Sequence, residues 1–304
     1  MNLGKIDIIF VLIFLILIFI IFYLIFKNRF NEKNIVNSTN DFQKNINEIQ
    51  GSINLLTRTV EDKINNINKN IGSSLNEQTE KTQKSLSDVK EALEANQLTQ
   101  VLFNLPPGDW EKGERGMSCL PGRQNEFRES VELALEYANG LGCKQIHAMA
   151  GIKPEGIAQE ALLETYVENL HYATQLYEQH DVRLLIEAIN SRDMPGYFLN
   201  KSAQAISVIE KVSSSNLWFQ YDIYHMQIME GDLSPTITEL LPRIAHFQIA
   251  DTPGRHEPGT GEINYPYLFS RLDELGYEGW VGCEYRPLSG TIEGLSWASG
   301  WLGR

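Results

Sequence analysis

Three regimes of hydrophobic patterning divide the 304-residue chain. Ile8 to Phe26 is a run of nineteen uncharged residues, almost all Ile, Leu and Phe. It is long enough to span a bilayer as a helix and is apolar on every face, unlike the one-sided pattern of a surface helix. No small-residue cleavage site follows, so it predicts a retained anchor over 1–30 and not a signal peptide. Lys27, Arg29 and Lys33 follow the run, against Lys5 and Asp7 before it. The positive-inside rule then predicts a single-pass, membrane-anchored chain with its C-terminal domain in the cytoplasm.

Residues 31–97 are polar, without Pro, and rich in Asn, Lys, Glu and Ser. Apolar or Thr positions recur at Phe42, Ile46, Ile49, Ile53, Leu56, Val60, Ile64, Ile67, Ile71, Leu75, Thr79, Thr82, Leu86, Val89 and Leu93, in steps of four and three with extra fours near Ile64 and Leu75. This stuttered heptad predicts a long coiled-coil helix over 31–97, through which copies of the chain can associate. The many Asn also fit a solvated single helix or linker.

From Gln97 onward, apolar runs alternate with helical segments, the signature of βα units. Strands are expected near 98–104, 144–149, 182–188, 216–222, 244–250 and 280–284. Helices are expected near 124–140, 157–180, 201–213, 232–241 and 264–275. In the first of these, Phe127, Val131, Ala134, Leu135 and Ala138 mark one face, and Gly140 and Gly142 mark its end. Val182 to Ile186 is apolar on both faces apart from Arg183, as befits a buried parallel strand. Six strands with helical crossovers predict a parallel α/β fold class over 98–304.

Composition sharpens the boundary. All eleven Pro, five Trp and three Cys lie beyond residue 100. Residues 1–100 carry eleven basic and eleven acidic residues, so the remainder holds the whole net charge of −13. An acidic domain argues against a nucleic-acid partner, since phosphate binding needs a basic footprint. Cys119, Cys143 and Cys283 form no CxxC pair and read as core thiols, not as a disulfide frame or zinc site.

Four strand runs each deliver a polar residue near their C-terminal end: Glu187, Asp222, Gln248 and Glu284. Active sites of (β/α)₈ barrels occupy that face. Three carboxylates and an amide suit a hard divalent ion, Mg²⁺ or Mn²⁺. Two carboxylates facing each other across a substrate can serve as base and acid for a proton shuttle, and a nearby cation should hold both ionised. Gln248 taken alone also fits an amide that satisfies backbone groups. His225 fits either a hydrogen-bond donor to substrate or a satisfied core histidine. Arg255, on a loop after a strand, can grip a carboxylate bidentately. His147 ends a strand and reads as packing.

The stretch from Leu102 to Trp110 with Gly113-Glu114-Arg115-Gly116, and the segments Leu185–Asn190, Gln220–Gln227, His246–Asp251, Glu257–Tyr265 and Trp280–Tyr285, resemble in order the hydroxypyruvate isomerases. These belong to the xylose-isomerase-like TIM barrels, so the resemblance implies an α/β fold, an incomplete TIM (β/α)₈-type barrel of about six βα units over 98–304, preceded by a transmembrane helix and a long coiled-coil helix. The resemblance implies that Glu187 and Glu284 are both ligands and catalysts, that Asp222 and Gln248 complete the metal set, and that His225 and Arg255 bind substrate. It implies interconversion of hydroxypyruvate, a small hydroxy-keto acid, and tartronate semialdehyde through an enediolate. A zinc endonuclease of related fold would need a multi-histidine cluster, and only His225 and His246 lie on the metal-bearing strands. Such a family also carries two further βα units before the strand at 98–104, where this chain has its anchor and rod. Either a partner supplies the missing strands, or the fold is damaged, or the sequence joins pieces of two genes; the abrupt compositional break favours the last.

The stretch from Lys63-Ile64-Asn65-Asn66-Ile67 through Ser73–Leu86 resembles the membrane-anchored coiled-coil region of RmuC-type DNA recombination proteins, a resemblance covering about residues 1–95; that family's nuclease-like domain does not follow here. The second functional reading is accordingly a membrane-anchored coiled-coil interaction protein carrying an inactive barrel fragment.

Overall fold

The computed structural model describes residues 75–300. The predicted anchor over 1–30, and the predicted rod up to residue 74, lie outside the described residues. Among the described residues no helix is long and apolar enough to cross a membrane. This corrects the membrane-anchored, single-pass placement with a cytoplasmic C-terminal domain: the Ile8–Phe26 run that suggested it is not among the described residues, and the one described piece of the rod is too charged to span. That piece is α1, Leu75–Ala95. It ends where Gln97 turns left-handed (φ 55°) and the Leu98 N–H reaches back to the Leu93 carbonyl at 2.9 Å, the six-to-one bond of a Schellman stop.

The described chain falls into two compact units: Val101–Gly290, and a second comprising α1 with the short 3₁₀ segment Glu293–Gly300. The first holds six strands: β1 Phe103–Asn104, β2 Gln145–His147, β3 Arg183–Glu187, β4 Leu217–Asp222, β5 Ile244–Ile249 and β6 Trp280–Cys283. They form one sheet in the order β1-β2-β3-β4-β5-β6, every neighbouring pair parallel. Sequential parallel order with helical crossovers is how a TIM-barrel wall is built. All six expected strands are present, each shorter than its apolar run.

Helices α2 (Gln124–Leu141), α3 (Gln159–Glu178), α4 (Ser202–Val212), α6 (Leu233–Leu240) and α7 (Tyr265–Glu274) match the expected segments. α2 buries Phe127, Val131, Ala134, Leu135 and Ala138. It passes through Gly140 and stops at Gly142, whose φ of 66° and N–H bond to the Ala138 carbonyl close the last turn. Helix α5, Ile223–Met229, follows β4 without a loop. Its aromatic and β-branched start reads as more strand; the Asp222 cap converts it to helix.

The two-residue period of the strands sorts side chains onto opposite faces. Register pairs Ile186 with Phe219, and Tyr221 with Phe247. This row is fully buried and includes edge-to-face ring contacts Phe219–Tyr221 (5.5 Å) and Tyr221–Phe247 (5.8 Å). The alternate row pairs Asn104 with His147, Glu187 with Gln220, Gln220 with His246, Asp222 with Gln248, and Gln248 with Gly282. One face is thus apolar; the other gathers the polar residues.

Candidate active site

Each functional side chain is placed by an element end. Glu187 closes β3 and is buried, 5% exposed. Its Oε2 accepts from Gln220 Nε2 at 3.0 Å, while its Oε1 is buried without a hydrogen-bond partner. Asp222 closes β4 and caps α5. Its Oδ1 accepts from the backbone N–H groups of Tyr224 (2.8 Å) and His225 (3.3 Å), an N-cap arrangement. The cap leaves Oδ2 free of hydrogen bonds and fixes it toward Glu187.

His225, on the first turn of α5, brings Nε2 to 3.5 Å from Asp222 Oδ2 and 3.9 Å from Glu187 Oε1. Gln248 on β5 accepts at Oε1 from Gln220 Nε2 (2.6 Å) and donates from Nε2 to Glu284 Oε2 (2.5 Å). Glu284 follows β6 directly, its N–H bonded to the Ile249 carbonyl at 3.1 Å. Glu187, Asp222, His225, Gln248 and Glu284 therefore converge.

Arg255 reaches them from the loop after β5. That loop is organised by Asp251, fully buried, which accepts from the N–H groups of Thr252 (2.9 Å), Gly259 (2.9 Å) and Ile263 (3.1 Å). Gly261 crosses so close that a Cβ there would meet the Thr252 carbonyl. The Arg255 guanidinium lies 3.0 Å from Glu284 Oε1 and 3.7 Å from Asp222 Oδ2, above the Tyr224 ring at 5.2 Å.

Electrostatics follow from burial and crowding. Burial, then the carboxylates of Asp222 and Glu284, push the Glu187 carboxyl well above its ordinary range. Burial also raises Asp222, with Arg255 and the two capping N–H groups pulling the other way. Burial opposes the charge on Arg255, yet Glu284, Asp222 and Glu187 together raise its pKa further. Burial pushes His147 and His225 down to about 3 and His246 down to about 4, so all three imidazoles are neutral near pH 7.

The donor set fits a divalent ion. Three carboxylates face one guanidinium, and two buried carboxylate oxygens, Glu187 Oε1 and Asp222 Oδ2, have no hydrogen-bond donor. Ligand atoms of Glu187, Asp222 and His225 lie within 4.8 Å of one another. Gln248 Oε1 accepts one N–H and retains a second lone pair. Hard oxygen donors in that number suit Mg²⁺ or Mn²⁺.

Two participants escaped the sequence reading. Gln220, 1% exposed, bridges Glu187 and Gln248 through one amide; the alternation Gln220/Asp222 along β4 was its only signal. His147 stands with Nδ1 3.0 Å from Asn104 Oδ1 and 3.8 Å from Glu187 Oε2, facing the site where packing was expected.

The sequence matches the family model described as xylose isomerase-like TIM barrel over residues 71–301; residues 1–70, which hold the beginning of the RmuC-like stretch, lie outside that match. It is 49% identical over 218 residues to the 2-oxo-tetronate isomerase of Cupriavidus necator, covering 72% of this chain and 84% of that protein. It is 50% identical over 212 residues to the hydroxypyruvate isomerase of Escherichia coli, covering 70% and 82%. A solved structure described as AP endonuclease, family 2, from Brucella melitensis superposes with a TM-score of 0.70 at 47% identity, covering 71% and 83%.

Proposed function

The chain belongs to the xylose isomerase-like TIM-barrel family, and we propose that it is an isomerase of small hydroxy-keto acids, interconverting hydroxypyruvate and tartronate semialdehyde through an enediolate. The observation that supports this most is the meeting of Glu187 and Glu284, 97 residues apart in sequence, around one cluster with Asp222, Gln248 and Arg255. Its relatives include proteins named as hydroxypyruvate and 2-oxo-tetronate isomerases.

The reaction moves one proton from C3 to C2 of hydroxypyruvate and one from the C3 hydroxyl to the C2 oxygen. Glu284 and Glu187, at the two ends of the hydrogen-bonded run through Gln220 and Gln248, are suited to take and return the carbon-bound proton. Gln220 keeps the Glu187 carboxyl oriented, and Gln248 does the same for Glu284. Arg255 presents a fixed positive charge for the substrate carboxylate. Glu187, Asp222, Gln248 and Glu284 would hold Mg²⁺ or Mn²⁺, which supplies Lewis-acid stabilisation of negative charge on the substrate oxygens.

The test is turnover of hydroxypyruvate and of 2-oxo-tetronate by the full chain with Mn²⁺ and after chelation. Glu187→Gln and Glu284→Gln should each lower kcat by about 10²- to 10⁴-fold, and chelation should remove activity. Retained turnover in either variant would overturn the shuttle. Faster turnover of 2-oxo-tetronate would replace the three-carbon substrate with the four-carbon one.

A further inference from the structure

His225 stands among the groups that can surround a cation, because its Nε2 is near both Glu187 and Asp222. An imidazole nitrogen ligates only when it carries no proton, so the tautomer decides whether His225 is a ligand or a donor. That tautomer is legible from its other side. Nδ1 lies 2.6 Å from Asn190 Nδ2 and 3.4 Å from the Asn190 backbone nitrogen. Both are N–H groups if the amide is oriented as described, and the orientation is fixed independently. The Asp193 backbone N–H, which can only donate, points at Asn190 Oδ1 at 2.7 Å. The opposite atom of the amide must then be Nδ2, and it also donates to Asp193 Oδ2 at 3.1 Å.

Asn190 is itself held. It is fully buried at the end of the β3 segment, and Asp193, its partner, accepts a further hydrogen bond from the Tyr224 hydroxyl at 2.8 Å. Tyr224 precedes His225 on α5, so the network Asn190–Asp193–Tyr224 ties the loop after β3 to the helix that carries the imidazole. Two donors face Nδ1 and no acceptor does among these contacts. A neutral His225 then satisfies the pair only by accepting at Nδ1 and carrying its proton on Nε2.

We propose that Asn190 is a positioning residue that locks His225 as the Nε2–H tautomer, so that His225 donates a hydrogen bond into the site and does not ligate the cation. In the bound complex that donor would face a substrate oxygen between Glu187 and Asp222. The assignment of a substrate oxygen rests on the isomerase reading; the tautomer does not.

The decisive measurement is a long-range ¹H–¹⁵N correlation on full-length protein labelled at histidine, recorded without metal and with Mg²⁺. His225, assigned through His225→Gln, should show a pyrrole-type Nε2 and a pyridine-type Nδ1 in both states. Asn190→Asp places an acceptor opposite Nδ1, and should move the proton to Nδ1 or add a second one. The same variant should lose roughly tenfold or more in kcat/KM, while its Mn²⁺ affinity stays within about threefold of the unmodified protein, a margin inside ordinary context variation. Should Asn190→Asp not fold, the unmodified spectrum alone decides. A pyrrole-type Nδ1 in the unmodified protein, or loss of Mn²⁺ binding in His225→Gln, would overturn the proposal. Absence of isomerase turnover in the unmodified protein would sink the functional reading and leave the tautomer result standing.

Discussion

Gln220 Nε2 sits 3.0 Å from Glu187 Oε2 and 2.6 Å from Gln248 Oε1, and Gln248 in turn donates to Glu284 at 2.5 Å. The two glutamates proposed to move protons are therefore linked by a bridge of two amides. A bridge of this kind orients both carboxylates without adding charge to a site that already holds three acids. Its cost when broken is the desolvation of an unmet carboxylate oxygen. Gln220→Leu should lower stability by about 1–3 kcal/mol and should raise the Glu187 carboxyl further, since the Gln220 hydrogen bond is among the influences that lower it. Thermal melts would read the first effect and the acid limb of a pH–rate profile the second. A variant with unaltered melting and profile would show that the bridge carries neither.

Asp251 and Arg255 are four residues apart and do unlike things. Asp251 accepts three backbone N–H groups of its own loop, and the turn it builds carries Arg255 into the acid cluster. Asp251→Ala leaves three donors unmet in a buried place and should cost at least about 3 kcal/mol. Turnover should fall with it, because the only guanidinium described against these acids loses its placement. Chemical denaturation and steady-state kinetics on the same preparation would check both. A full-strength melt would show that the loop is held by something else.

The buried imidazole of His147 gives a signed dependence on pH. Burial, aided by nearby His246, holds it at about 3 in the folded protein against an ordinary value of 6.5. Between those values the unfolded chain binds a proton that the folded chain refuses, so stability rises with pH there. The contribution is complete above about pH 6.5 and is lost as pH falls toward 3. His147→Gln removes this sensitivity. The stability of the unmodified protein relative to the variant should decline on acidification by up to about 1.4 kcal/mol per pH unit. Denaturation of both proteins in chelator at several pH values would measure it; parallel curves would mean that His147 takes a proton while folded.

The sequence by itself determined the six strands, their order and the identity of most polar groups at their ends. It could do so because a buried parallel strand writes itself as a short apolar run, and because helical spacing such as Phe127, Val131, Ala134, Leu135 and Ala138 reports one buried face. Glu187, Asp222, Gln248 and Glu284 were legible as strand-end residues, and the structure brings them together.

Tertiary structure alone decided what each of those groups faces. Helix α5 was hidden because Ile223-Tyr224-His225 has strand-like side chains, and only the cap from Asp222 turns it. Gln220 and His147 were hidden because register, which sets the partners of a strand residue, is fixed by pairing between segments distant in sequence. The direction of a proton on His225 is further removed still. It depends on an amide 35 positions earlier, whose own orientation is set by one backbone N–H at Asp193. Pattern along a chain reports burial; the pairing of donors with acceptors is a property of space.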